Sequence, residues 1–267
     1  SDIVSGFREL GASAPPRHSV EGAGFRLTYD QQGELWVGTF GHGLWHVTRD
    51  GDDFTIERAA LSTGLSSNSV QSMIVDRDGN VWVGTTLGLH RFTKRSLTPL
   101  EDVGFVLAVQ PLDDGQVLAG TTNGLVRLEA DRGRWRQVRL GSAMPDIRSL
   151  YRDPAGVVWV GASDGLWRFH HGRLTQVRLP SRSEMLVLSI SPDERGGLWL
   201  GDGEWLYRWD GRTLDPLALP PSAADLTRLT SVRADRSGRV WLGFDGRAIG
   251  RLDIDGTFHL LGPGDGW

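Results

Sequence analysis

Five aspartates share one spacing. Asp30, Asp76, Asp153, Asp193 and Asp235 each precede a glycine by three residues (Gly33, Gly79, Gly156, Gly196, Gly238) and a tryptophan by six (Trp36, Trp82, Trp159, Trp199, Trp241). Carboxylates at a fixed interval can ligate a cation, exchange protons or cap a turn. The stretch DRDGN, Asp76–Asn80, is similar to the start of a calcium loop. A twelve-residue loop of that kind ends on a carboxylate, and residue 87 is leucine. Capping fits better. The first residue of a four-residue hairpin loop accepts backbone N–H groups through its carboxylate, and the last, a glycine, takes a positive φ. Each tryptophan then reads as a packing unit between neighbouring sheets. The expectation is structural turns, no metal and no cofactor.

Other reactive groups are sparse. The 267 residues include no cysteine, hence no disulfide, thiolate ligand or thiol nucleophile. No phosphate-binding Gly-rich loop or Gly-x-Ser-x-Gly elbow occurs. His170 and His171 lie beside Gly172, on an expected exposed hairpin. Adjacent strand residues point to opposite faces, which makes a poor metal pair. His42, in TFGHG, sits in an inter-strand loop and is a candidate ligand contact. A net charge of −4 argues against a nucleic-acid partner. No apolar run approaches the roughly 20 residues of a membrane helix, so any membrane tie is expected through segments outside this chain.

The elements that must position these groups repeat as well. Gly38, Gly84, Gly120, Gly161, Gly201 and Gly243 recur about every 40 residues, the period of an array. Each copy holds a β-rich run such as VQSMIVD, a turn, a second run such as VVWVGA, a short loop, a third such as GLWRF and a weaker fourth such as LTQVRL. Four short strands per repeat and no helical period predict an all-β protein, a β-propeller of about six four-stranded antiparallel blades. The repeats fall near 22–60, 66–101, 103–140, 146–180, 185–220 and 227–262, in a single domain or fragment over 1–267. The opening SDIVSGFREL reads as the interior of a longer chain, and GPGDGW as the lead into another repeat. The array either closes with six blades, or stretches around Phe7–Leu10 and Phe258–Leu261 help close a ring, or it is part of a longer or seven-bladed array. In the third repeat Gly115 is kept, while Leu112 and Leu118 replace the aspartate and tryptophan, so this blade is expected to pack more loosely. The third strands carry His46, Arg91, Arg127, Arg168, Arg208 and Arg251. Several of these arginines are expected to bond the turn carboxylates or carbonyls, since a guanidinium fork can make two such bonds at once.

GLSSNSVQSMIVDRDGNVWVGTTLGLHRF, Gly64–Phe92, resembles the two-component regulator propeller repeat, with its Gly-Leu-x-x-Asn-x-Val, Asp-x-x-Gly-x-Val-Trp-Val-Gly-Thr and closing Gly-Leu elements. Five near-complete copies and one degraded copy extend this over roughly residues 24–262. The resemblance implies a periplasmic sensor region of a bacterial hybrid two-component system, histidine kinase or diguanylate cyclase receptor, with any output module elsewhere. The Asp-box of glycosidase propellers has one residue between Asp and Gly; here there are two, and that reading loses its main motif.

Framework residues repeat because every blade needs them, so specificity belongs where the repeats differ. The loops between second and third strands offer Phe40, His42, Leu87, Asn123, Asp164, Glu204, Trp205, Asp245 and Arg247. The loops entering each first strand add Asn68, Asp146, Glu184 and Arg228, of which Asn68 belongs to the repeat motif and reads as structural. Together they are expected to ring one mouth of the central channel. Aromatic faces beside amides and carboxylates suit a small polar ligand such as a sugar or peptide. The reading is a non-catalytic sensor capable of self-association. The alternatives are a propeller lyase or hydrolase acting on a carbohydrate or lactone, which needs a convergent acid/base pair, and a protein-interaction scaffold, which needs an apolar patch.

Overall fold

The computed structural model describes residues 25–50, 53–60, 64–93, 96–100, 102–113, 115–131, 134–141, 146–180, 184–217, 228–235, 237–245 and 248–261. Among these, twenty-four strands and no helix form six four-stranded sheets, each a simple up-and-down series. The first holds β1 (Phe25–Tyr29), β2 (Leu35–Thr39), β3 (Leu44–Asp50) and β4 (Asp53–Ala59), and the second β5 (Val70–Val75), β6 (Val81–Thr85), β7 (Gly88–Thr93) and β8 (Ser96–Leu100). The third holds β9 (Val106–Pro111), β10 (Val117–Thr121), β11 (Gly124–Asp131) and β12 (Arg134–Leu140), and the fourth β13 (Ile147–Arg152), β14 (Val158–Ala162), β15 (Gly165–His170) and β16 (Arg173–Val177). The fifth holds β17 (Ser189–Pro192), β18 (Leu198–Gly201), β19 (Leu206–Trp209) and β20 (Leu214–Leu217), and the sixth β21 (Leu229–Ala234), β22 (Val240–Phe244), β23 (Ala248–Leu252) and β24 (Phe258–Leu261). These are the six antiparallel blades expected of an all-β propeller fold. Phe258–Leu261 is the fourth strand of the sixth blade, while Phe7–Leu10 lies outside the described residues.

The chain divides into two compact units, Ser1–Ala119 with Val126–Val138, and Gly120–Leu125 with Arg139–Trp267. In the first, one core gathers Leu44, Leu65, Val70, Val81 and Val83, and a second gathers Trp82, Leu89, Val106, Val117, Val126 and Leu128. In the other, Leu166, Met185, Val187, Leu200 and Tyr207 form one core, and Leu206, Leu229, Val232, Val240 and Leu242 another. Each cluster draws on two successive sheets, because a four-stranded sheet must bury both faces against neighbours.

Five of the six aligned glycines, all but Gly243, now have a mechanical reason. Their φ angles are ordinary; what they lack is a side chain where the next sheet arrives. A Cβ on Gly38 would stand 2.5 Å from Val70 Cγ1, one on Gly84 2.6 Å from Val106 Cγ1, and one on Gly120 2.5 Å from Ile147 Cγ2. On Gly161 it would stand 2.6 Å from the Val187 carbonyl oxygen. Val70, Val106, Ile147 and Val187 are fully buried in these notches. A backbone carbonyl cannot swing aside as a side chain can. Gly161→Ala is therefore expected to destabilise the protein by about 1–3 kcal/mol through overpacking. A urea titration of the variant beside wild type checks this; an unchanged midpoint would remove the notch explanation.

The third blade departs from expectation. Val117, Leu118, Ala119 and Leu128 are at most 1% exposed, so it is not loosely packed. Leucine at 118 fills its own volume, and Trp135 on β12 sets its ring edge-on to Trp82 of the second blade, with centroids 4.9 Å apart. Trp135 thus receives the second blade's ring, as Phe92 receives Trp36 and Trp209 receives Trp159.

Candidate functional site

Each blade has two ends with different chemistry. One end carries the first-to-second-strand turns, where the carboxylates cap as expected. Asp76 Oδ1 accepts the Asp78 and Asn80 backbone N–H groups at 3.0 and 2.8 Å, Gly79 N donates to Asp76 O at 3.1 Å, and Gly79 sits at φ 78°. The second carboxylate oxygen does what the sequence reading did not foresee: it takes the indole N–H six residues on. Trp36, Trp82, Trp159 and Trp241 donate to Asp30, Asp76, Asp153 and Asp235 at 3.1, 2.8, 2.9 and 3.0 Å. The bond from Trp241, with the turn N–H groups and Arg239, pulls the Asp235 carboxyl down to about 2. A tryptophan pinned this way reaches the next sheet. Trp36 lies 5.4 Å from the Phe92 ring, and Trp159 5.2 Å edge-on from Trp209. The packing role expected of the tryptophans is observed, and the constant six-residue interval was the available signal for the bond. The same turn recurs at Asp253–Gly256 between β23 and β24, where Gly256 N donates to Asp253 O at 3.0 Å. The sequence reading missed it, although its spacing is the same.

The third-strand arginines mostly do not bond the turn carboxylates. Arg208 does, with Nε 2.7 Å from Asp193 Oδ2. Arg251 goes to Asp253 at 2.9 Å, Arg127 to Glu129 at 2.6 Å, Arg91 lies 5.8 Å over the Trp82 ring, and Arg168 is exposed. Arg127 has no turn carboxylate to meet, since Leu112 stands in the place of the aspartate. Position 46 differs again. His46 Nε2 is 3.0 Å from Glu34 Oε2 and 3.8 Å from Asp30 Oδ2, and its ring stacks on Trp36 at 4.0 Å.

The loops between second and third strands occupy the other end, where the sequence placed its ligand candidates. In the first unit, Phe40 is half-buried beneath the Arg26 guanidinium at 5.6 Å, and burial lowers the Arg26 pKa. His42 N donates to Thr39 Oγ1 at 3.1 Å, and its carbonyl accepts Arg58 Nε at 2.8 Å. Leu87 is exposed. The Asn68 carbonyl takes the Gly41 and Gly43 N–H groups at 3.1 and 2.8 Å. In the second unit, Asn123 and Asp245 are exposed, Glu184 is exposed, and Asp146 pairs with Arg148 at 2.5 Å. Asp164 takes the Trp167 indole N–H at 2.9 Å. Arg247 lies outside the described residues.

One of these loops presents Glu204 and Trp205 through Asp202, a residue the sequence reading passed over. Asp202 Oδ1 accepts their N–H groups at 2.9 and 2.7 Å, and Oδ2 accepts the Tyr207 hydroxyl at 3.0 Å. Trp205 is thereby held 41% exposed, while Arg228 packs against Gly203 beside it. Aspartate two residues before a loop pair is the turn signal that could have found it. A ring face, a carboxylate and a guanidinium stand together there. The structure brings Glu204, Trp205 and Arg228 into one neighbourhood. At the opposite end of the fifth and sixth sheets, a cleft of about 540 Å³ lies among Asp193, Arg195, Trp199, Arg208, Ile254 and Phe258, where the sequence placed no ligand.

Two histidine environments run against expectation or outside it. His171 is a turn residue with φ 48°, so strand alternation does not separate it from His170, and the two rings lie 3.8 Å apart. His90 is 1% exposed on β7; its Nε2 accepts the Ser66 N–H at 3.0 Å and meets Ser66 Oγ at 2.8 Å. Its Nδ1 is buried without a partner among the described residues, and burial pushes its pKa down to about 4.

Residues 64–86 match the family model described as "Two component regulator propeller". None of the curated proteins matches the chain in sequence. Among solved structures, the chain is similar to a catalytically inactive virginiamycin B lyase from Staphylococcus aureus with quinupristin, at 16% identity and TM-score 0.72, over 91% of this chain and 86% of that one. It is similar to the extracellular domain of a hybrid two component system from B. thetaiotaomicron, at 20% identity and TM-score 0.69, over 91% of this chain and 33% of that one. It is also similar to YCF48 bound to D1 peptide, at 16% identity and TM-score 0.64, over 90% and 83%. At these identities the likeness is one of fold; the chain spans about a third of the two component receptor domain.

Proposed function

We propose that this chain, which carries the two component regulator propeller repeat at residues 64–86, is a ligand-recognising part of the extracytoplasmic region of a bacterial signalling receptor and works without catalysis. The observation that carries the reading is the division of labour between blade ends. The repeated carboxylates and indoles are consumed by one another at the turn end, while the groups that vary face solvent at the loop end, Trp205 foremost. The likeness to the extracellular domain of a hybrid two component system supports the location and the trade. The histidine–carboxylate contacts His46–Glu34 and His259–Asp253 both stand at the turn ends, away from those loops. The ligand class is a small polar molecule, a sugar or peptide, stacked on Trp205 and bonded by Glu204 and Arg228.

The test is a thermal-shift screen of mono- and oligosaccharides and short peptides against wild type and Trp205→Ala. Since Trp205 is exposed, the unliganded variant is expected to melt within about 2 °C of wild type. The stabilisation by the hit compound is expected to vanish in the variant. A screen without hits, or a hit indifferent to Trp205, would overturn this site.

A further inference from the structure

We propose a divalent transition-metal site at the turn of the first blade, built from Asp30, Glu34 and His46, with zinc as the ion that fits it. One Asp Oδ2, one Glu Oε2 and one His Nε2 lie within 4.8 Å of one another. Ligand atoms bound at about 2.0–2.2 Å around one zinc ion stand a little over 3 Å apart, so only the Glu34 and His46 side chains need adjust. A nitrogen with two carboxylates is a borderline donor set that suits zinc over calcium or magnesium, which prefer all-oxygen shells.

The three groups are held by the framework. Asp30 is 7% exposed at its side chain; Oδ1 accepts the Gln32 and Glu34 N–H groups at 2.9 and 3.0 Å, and Oδ2 accepts the Trp36 indole at 3.1 Å, leaving that oxygen a lone pair facing His46. The His46 imidazole is fixed by stacking on Trp36, which it faces across the β2–β3 register.

The sister turns supply the independent argument. Where the first blade has Glu34, the others have Asn80, Gln116, Val157, Gly197 and Arg239; where it has His46, they have arginine. In the fifth and sixth blades a guanidinium neutralises the turn carboxylate, Arg208 on Asp193 at 2.7 Å and Arg239 on Asp235 at 2.8 Å. Only the first blade sets two carboxylates against one titratable nitrogen, with no fixed cation in either of those positions. A divalent ion balances that charge in the way arginine does in the sisters.

The full chain, stripped with chelator, is titrated with zinc chloride by calorimetry and followed in a thermal melt, beside His46→Arg, Glu34→Gln and His170→Ala/His171→Ala. One equivalent of zinc is expected to bind wild type and raise its melting temperature. His46→Arg, which installs the residue the other repeats carry, is expected to fold by circular dichroism and to lose binding. Glu34→Gln should weaken binding at least tenfold, and the paired-histidine variant should bind as wild type. Cobalt substitution should give visible d–d bands lost in His46→Arg. Absence of binding to wild type, undiminished binding in His46→Arg, or loss confined to the His170/His171 variant would each overturn the proposal.

Discussion

Trp82→Ala is expected to cost about 3–5 kcal/mol and to lower the melting temperature by roughly 10 °C. No other replacement of a framework residue should cost more. The indole is fully buried, donates to Asp76 at 2.8 Å, stands edge-on to Trp135 at 4.9 Å, and lies beneath the Arg91 guanidinium at 5.8 Å. Truncation opens a cavity between the second and third blades and leaves the Asp76 oxygen with one donor fewer. Trp82→Phe separates the two effects. It keeps most of the ring and loses the N–H, so it should cost about 1–3 kcal/mol. Equal losses from the two variants, measured by urea unfolding, would show that the bond rather than the packing carries the energy.

Acid should weaken the protein through His90. Its folded pKa, about 4, lies below the ordinary 6.5 because burial disfavours the imidazolium. Above 6.5 the ring is neutral in both folded and unfolded chains, and the full stability is present. Between 6.5 and about 4 the unfolded chain takes up the proton and the folded one does not. Stability drains away across that window, by roughly 3 kcal/mol in all. Below pH 4 both states are charged and this contribution levels off. Protonation would also set an N–H against the Ser66 N–H that Nε2 now accepts at 3.0 Å. His90→Gln keeps an acceptor for that N–H and does not titrate. Unfolding curves at pH 7 and pH 4.5 should diverge strongly for wild type and by roughly 2 kcal/mol less for the variant. Equal pH sensitivity in the two proteins would acquit His90.

The turns and the repeat period were readable because they are local: an Asp–Gly interval of three and a Trp interval of six depend on one hairpin. The Trp82–Asp76 bond was also local, yet the two residues were assigned separate jobs, cap and packer. What could not be read is what depends on register. His46 meets Glu34 only because Trp36 pairs with His46 across β2 and β3, which places a residue twelve positions on beside the turn. The arginines found different partners blade by blade, Arg208 on Asp193, Arg251 on Asp253 and Arg127 on Glu129, which a shared position in the repeat does not reveal. His171 broke the alternation rule by adopting a turn backbone. Leu118 shows the opposite error: a lost motif residue was taken for lost packing, yet the leucine itself is fully buried.

The notch glycines give the molecule a polarity. At four joints one blade offers a bare glycine and an indole and its successor a valine against it; the third blade offers the glycine without the indole. Such joints are head-to-tail rather than self-complementary, and each uses residues of its own two blades alone. Lesions at well-separated joints should then add, and a duplicated blade would arrive with both halves of its couplings.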